Sequence, residues 1–181
     1  MDPRTFDPGP LSDVELQATE GRWTLVLVRQ LRHAPDKVWS ALTDPDQLRE
    51  WAPFIADRDL GTTGAATLTM IEGDEKMDLA ASVTHADPPT VLEYTWGTDV
   101  VAWKLEPTGS GTRLTLRHTF ADRDSAPGAA AGWHLCLVVL EHLLAGDPIG
   151  PIRGQDAMNY GWEALRDAYA ATFGVAAGVG E

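Results

Sequence analysis

Apolar and polar residues alternate along much of this chain and switch to a helical period at a few places. Between residues 111 and 120, Leu114, Leu116, His118 and Phe120 fall on one face, with Arg113, Thr115, Arg117 and Thr119 on the other. That is the period-two pattern of a half-buried strand. Beyond it, Trp133, Leu137, Leu140 and Leu144 recur at helical spacing. They predict a long helix over 128–144, stopped at Gly146 with Pro148 following.

The earlier chain follows the same logic. Residues 1–21 carry several prolines and little periodicity, and read as a flexible lead with a short turn of helix from Ser12. Over 22–33, Trp23, Leu25, Leu27, Arg29 and Leu31 share a face, which predicts a long first strand. Pro35 opens a short helix and Asp44 caps a second, with Leu48 and Trp51 inward. The period then returns to two. Leu68 and Met70 mark a strand, Glu72-Gly73-Asp74 a hairpin turn, and Met77, Leu79, Ala81, Val83 and His85 the next strand. Leu92, Tyr94 and Trp96, then Val101, Trp103 and Leu105, make two more. Residues 146–154 are too rich in glycine and proline for regular structure. A last helix is expected over 155–173, with Met158, Trp162, Leu165, Tyr169 and Phe173 on one side, followed by a frayed tail over 174–181. Strands in immediate succession favour an antiparallel meander. The class is α+β: a curved sheet of about six to seven strands around a long C-terminal helix, with two short helices after the first strand and an extra helix at the end.

Composition narrows the functions. The 181 residues suffice for one domain with a sizeable core. With 27 acids against 14 bases the net charge is −13, which argues against nucleic acid and anionic membrane surfaces. The single cysteine, Cys136, rules out an intramolecular disulfide and a Cys-based metal site. The amino terminus lacks an apolar signal core and no stretch approaches a membrane span, so membrane insertion is not expected and a cytoplasmic location is. Seven tryptophans call for a large buried volume or a cavity wall.

Three motifs carry a family resemblance: residues 34–51 (APDKVWSALTDPDQLREW), Asp87-Pro-Pro with Leu92-Glu-Tyr-Thr-Trp96, and Gly111-Thr-Arg-Leu-Thr-Leu-Arg-His118 with Gly132-Trp133. With the element order, they resemble the START-like (SRPBCC, helix-grip) superfamily. Within it they look like the branch named after the activator of the heat-shock-protein-90 ATPase. The likeness covers roughly residues 24–144. It implies a START-like domain over 22–145; the linker and extra helix of 146–173 go beyond that core, are expected to pack on the same domain, and could cap the cavity, mediate dimerisation or simply complete the fold. It also implies a deep cavity between sheet and long helix that binds a small apolar or amphipathic molecule, with no cofactor or metal. Some such proteins act as cyclases or hydrolases, and a chaperone-associated or stress-related interaction role is a further alternative. Gly61-Thr-Thr-Gly64 replaces a Gly-Gly pair common in the branch. The co-chaperone that names the branch has a further chaperone-binding domain, for which this chain leaves no room, so its activity does not carry over.

His118, on the apolar face of its strand, is expected to touch a ligand. It is the one catalytic candidate should the protein be an enzyme, and a wall histidine bonded to a backbone carbonyl or to Tyr94 is the plainer alternative. Arg29 shares an apolar face and could anchor a carboxylate, or pair with a core acid such as Glu72 or Glu93. Tyr94, Trp96, Trp103 and Trp133 are expected to wall the cavity, with Met70, Leu116 and Leu137 as further lining. His134 and His142 lie two turns apart on the helix, roughly 12 Å, too far to share a metal. Cys136 reads as a small buried hydrophobe. The chain could act as a monomer or a homodimer.

Overall fold

The computed structural model describes residues 1–176. A single antiparallel sheet contains eight strands in the order β1 (Asp13–Thr19), β2 (Arg22–Leu31), β8 (Gly111–Phe120), β7 (Asp99–Thr108), β6 (Val91–Trp96), β5 (Glu75–Asp87), β4 (Gly64–Glu72) and β3 (Phe54–Ala56). Two short helices, α1 (Pro35–Thr43) and α2 (Pro45–Trp51), connect β2 to β3. The sheet closes around α3 (Ala126–Leu144), and α4 (Trp162–Phe173) packs against α3. A register shift between Val83 and His85 adds local twist where β5 meets β6. This is the antiparallel sheet around a long helix anticipated from the period changes, and the helix-grip architecture that the resemblance implied, with one or two strands more.

The two additional strands escaped the pattern for different reasons. β1 does alternate, with Val14, Leu16 and Ala18 set between polar residues, but it lies on the sheet's edge with only Val14, Leu16 and Gln17 even half-buried, and so short a run beside a proline-rich lead reads as readily as a turn of helix. It replaces the helical turn expected from Ser12, and makes the strand read as first the second. β3 has three residues, too few for any period. The local signals elsewhere acted as read. Asp44 accepts a hydrogen bond from the Asp46 N–H at 2.9 Å, and Pro35 and Pro45 open their helices.

The final helix is shorter than expected. A 3-10 segment occupies Gly154–Tyr160, and Gly161 interrupts it at φ 87°, a left-handed conformation that costs glycine little. α4 starts only after that break. The tail expected to fray from 174 lies mostly outside the described residues. Val175 is buried, and its N–H caps α4 at the Ala170 carbonyl, 3.0 Å away.

The core is the concave face of the sheet pressed on α3. Leu25, Leu27, Val101, Trp103, Leu114 and Leu116 meet Leu137, Leu140 and Leu144. α3 is buried over nearly its whole circumference from Trp133 to Leu140, not along one stripe alone. A helix apolar all round must be enclosed, and here sheet, α2 and α4 enclose it. The expectation that no segment reaches the length of a membrane span needs correction. The helical run Arg123–Leu144 does so by length and hydropathy, and 67% of its most apolar window is buried within the protein.

One buried histidine ties the amino-terminal residues to the helices. His134 Nε2 donates to the Pro8 carbonyl at 2.8 Å, and the Tyr169 hydroxyl donates to His134 Nδ1 at 2.7 Å while accepting from the Ser12 N–H at 3.0 Å. These roles fix a neutral ring. Burial lowers the His134 pKa below its ordinary value of 6.5, the Pro8 bond works the other way, and the charge of Arg29 adds to the lowering. Because the folded form resists the proton, this group's contribution to stability is complete above pH 6.5. It is lost as pH falls from there toward the depressed folded value. Urea midpoints followed below pH 6.5 should therefore drop more steeply for wild type than for His134→Gln. Parallel curves would mean that His134 has no such linkage.

Candidate functional site

A cavity of about 390 Å³ opens between one end of the sheet, α3 and the chain that joins α3 to α4. Trp96 at the end of β6 and His118 on β8 form the sheet side. Ala129, Gly132, Trp133 and Cys136 form the α3 side. Ile152, Arg153, Met158 and Trp162 close the third side, and Pro53 and Glu72 complete the wall.

His118 is held at both nitrogens. Trp133 Nε1 donates to Nδ1 at 3.0 Å, and Nε2 lies 2.9 Å from Asp99 Oδ2. An indole N–H can only donate, so Nδ1 must carry the lone pair and the ring proton sits on Nε2, facing the carboxylate. Trp96 stacks on the same imidazole at 5.6 Å between centroids, and Phe120 and Trp133 meet it edge-on. His118 is thus a wall residue with fixed orientation, bonded to Asp99 and Trp133 rather than to a backbone carbonyl or Tyr94. With both nitrogens engaged, it has no free lone pair to take a proton from a bound molecule. The indole N–H of Trp96, beside this stack, is buried and has no acceptor among the described residues.

Of the residues expected from sequence to touch a ligand, Trp96, His118 and Trp133 line this cavity. Tyr94 and Trp103 do face inward, but they pack behind the wall. Trp103 Nε1 donates to the Tyr94 hydroxyl at 3.1 Å, its ring meets Trp133 and Trp51 edge-on, and burial pushes the Tyr94 phenol pKa well above its ordinary value. Leu116 and Leu137 are fully buried core, and Met70 is partly buried against it, opposite Phe54 on β3. Arg29 lies in a separate depression with the Asp7–Pro10 segment. Its Nε stands 3.2 Å from Glu141 Oε1, so the acid beside it comes from α3 and is neither Glu72 nor Glu93.

Sequence reasoning allowed the 146–173 extension to cap the cavity but named none of its residues as lining. Residues 146–154 read as a connection, and Met158 and Trp162 as one face of a core-facing helix. One signal was present: Arg153 is the sole lysine or arginine between Arg123 and Arg166. Cys136 does line the cavity, but burial pushes its thiol up to about 12 despite the opposing charge of Arg153, so it stays protonated at neutral pH.

The family profile described as Activator of Hsp90 ATPase homolog 1-like protein matches residues 32–145, more than half the chain. The protein belongs to this family. It is therefore a member of the START-like SRPBCC superfamily, as its motifs implied. Solved structures agree in fold. CalU16 from Micromonospora echinospora shares 20% identity over 88% of this chain and 95% of its own, with a TM-score of 0.64. Protein MLL2253 from Mesorhizobium loti shares 29% over 70% of this chain and 99% of its own, at 0.61. EF2215 from Enterococcus faecalis, a conserved protein of unknown function, shares 17% over 88% and 89%, at 0.67. No curated protein matches the chain.

Proposed function

We propose that this family member binds a small apolar or amphipathic molecule in the cavity beside Trp133. The observation that carries the reading is the cavity itself: about 390 Å³, walled by Trp96, Trp133, Trp162, Met158 and Ile152. Apolar pockets of this size with a few placed polar groups suit small ligands. Burial of the ligand's apolar surface supplies the affinity, roughly 25 cal/mol per Å² before the costs of association. The occupied nitrogens of His118 favour a carrier or sensor over an acid–base enzyme.

The neutral dye phenylnaphthylamine, which fluoresces when desolvated, tests this directly. It should bind with saturable, one-to-one stoichiometry, and native mass spectrometry of the purified protein should show one non-covalent adduct per chain. A linear, unsaturable signal together with an adduct-free spectrum would defeat the reading.

A further inference from the structure

The segment that closes the cavity contributes one cation, Arg153, to a mostly apolar wall. Arg153 follows Ile152 at the start of the 3-10 turn and is half-buried. Its Nε donates to the Ala52 carbonyl at 2.8 Å and its Nη2 to the Arg49 carbonyl at 2.8 Å, with a longer contact to the Phe54 carbonyl at 3.4 Å. Arg49 and Ala52 end α2, where the helix dipole presents partial negative charge. These bonds hold the guanidinium in place and leave its positive charge unneutralised.

No carboxylate lies within ion-pair distance of Arg153 among the described residues, whereas Arg22 and Arg29 have Asp99 and Glu141. Its Nη1 makes no hydrogen bond among the described residues. Burial lowers its pKa and the charge of Arg49 adds to the lowering, while Glu50 acts in the opposite sense, yet an arginine stays charged at neutral pH. Cys136, its neighbour in the wall, remains a neutral thiol and does not balance that charge. The one carboxylate in the wall, Glu72, is exposed, and its Oε1 accepts from Gln155 Nε2 at 3.3 Å.

A partly desolvated cation without a counter-ion is completed by an anion, and a planar guanidinium suits a carboxylate best. We propose that the cavity selects amphipathic carboxylates, with Arg153 holding the carboxylate and the tryptophan wall holding the apolar remainder. The proposal rests on the cavity being a binding site and adds the chemical class of its ligand. It also moves the anchoring role from Arg29, which already has Glu141, to Arg153.

Decanoate and decanol share a chain length and differ at the head group, so they isolate the contribution of charge. Each is titrated against protein loaded with phenylnaphthylamine at about pH 8, where the carboxylate is ionised. Decanoate should displace the dye at a concentration roughly 10- to 100-fold lower than decanol. Arg153→Gln should erase that preference, read as the ratio of decanoate to decanol displacement within the same protein, and Arg153→Lys should retain part of it. If the dye binds and decanol equals or outdoes decanoate, the carboxylate inference is overturned while the cavity reading stands. The inference also falls if Arg153→Gln weakens all three ligands alike, since Arg153 would then act only as a clamp on α2. If dye, decanoate and decanol all fail to bind, both readings are overturned. The wild-type comparison needs no variant, so a poorly folded Arg153→Gln protein does not block the test.

Discussion

Gly132→Leu should lose ligand binding without losing stability. Gly132 lies in the first half of α3 and lines the cavity, and a Cβ built there meets nothing within 4 Å. A leucine side chain would stand in the space that the ligand needs. Forcing a ligand into a filled volume costs about 1–3 kcal/mol or more, so phenylnaphthylamine affinity should fall by roughly fivefold at least. Folding should move the other way, because glycine inside a helix is worse than an ordinary helix former by about 0.5–1 kcal/mol. The thermal midpoint should stay level or rise. Binding and stability measured on the same preparation separate a filled site from a damaged fold. Wild-type affinity in Gly132→Leu would mean the dye binds elsewhere.

The largest loss of stability should come from Gly111→Ala. Gly111 opens β8 at φ 152°, and a Cβ there would overlap the backbone of Leu31, Arg32 and His33. Backbone cannot swing aside as a side-chain tip can, so β2 and β8 must part where Leu31 faces Thr112. The conformation alone costs a non-glycine residue about 1–3 kcal/mol. With the overlap, the total should reach at least about 3 kcal/mol, lowering the midpoint by roughly 6–12 °C for a chain of this size. Gly109 provides the control, since it lies in the same turn with nothing within 4 Å of an added Cβ. Thermal denaturation of both alanine variants should show a large shift for position 111 and almost none for 109. Equal shifts would refute the close-approach argument.

The two predictions differ in what could be seen beforehand. Gly111 stood inside a motif that already identified the last strand, although the reason it must be glycine emerged only from the approach of residues 31–33. Gly132 also stood in a motif, beside Trp133, but nothing in the order of residues said that its face was open. The His118 environment shows the same division. Strand parity put the ring on the inner face, where it lies. Its partners, Asp99 on β7 and Trp133 on α3, come from other elements, and no period links them.

What the sequence determined by itself is the set of elements and the face each one buries. Alternation in 111–120, helical spacing from Trp133 to Leu144 and the caps at Pro35 and Asp44 are local, and local signals fix strand, helix and inward side. The family followed from motifs on those same elements. What only the tertiary structure decided is which inward residues pack as core and which face empty space. Tyr94, Trp103, Leu116 and Leu137 point inward as surely as Trp96 and Trp133, yet they are sealed, because neighbours distant in sequence fill the volume before them. The cavity exists where residues 152–162 return over α3 without filling the gap. Its cation, Arg153, comes from a glycine- and proline-rich segment with no period to read. Periodicity reports direction along one element, and a cavity is a property of several elements meeting.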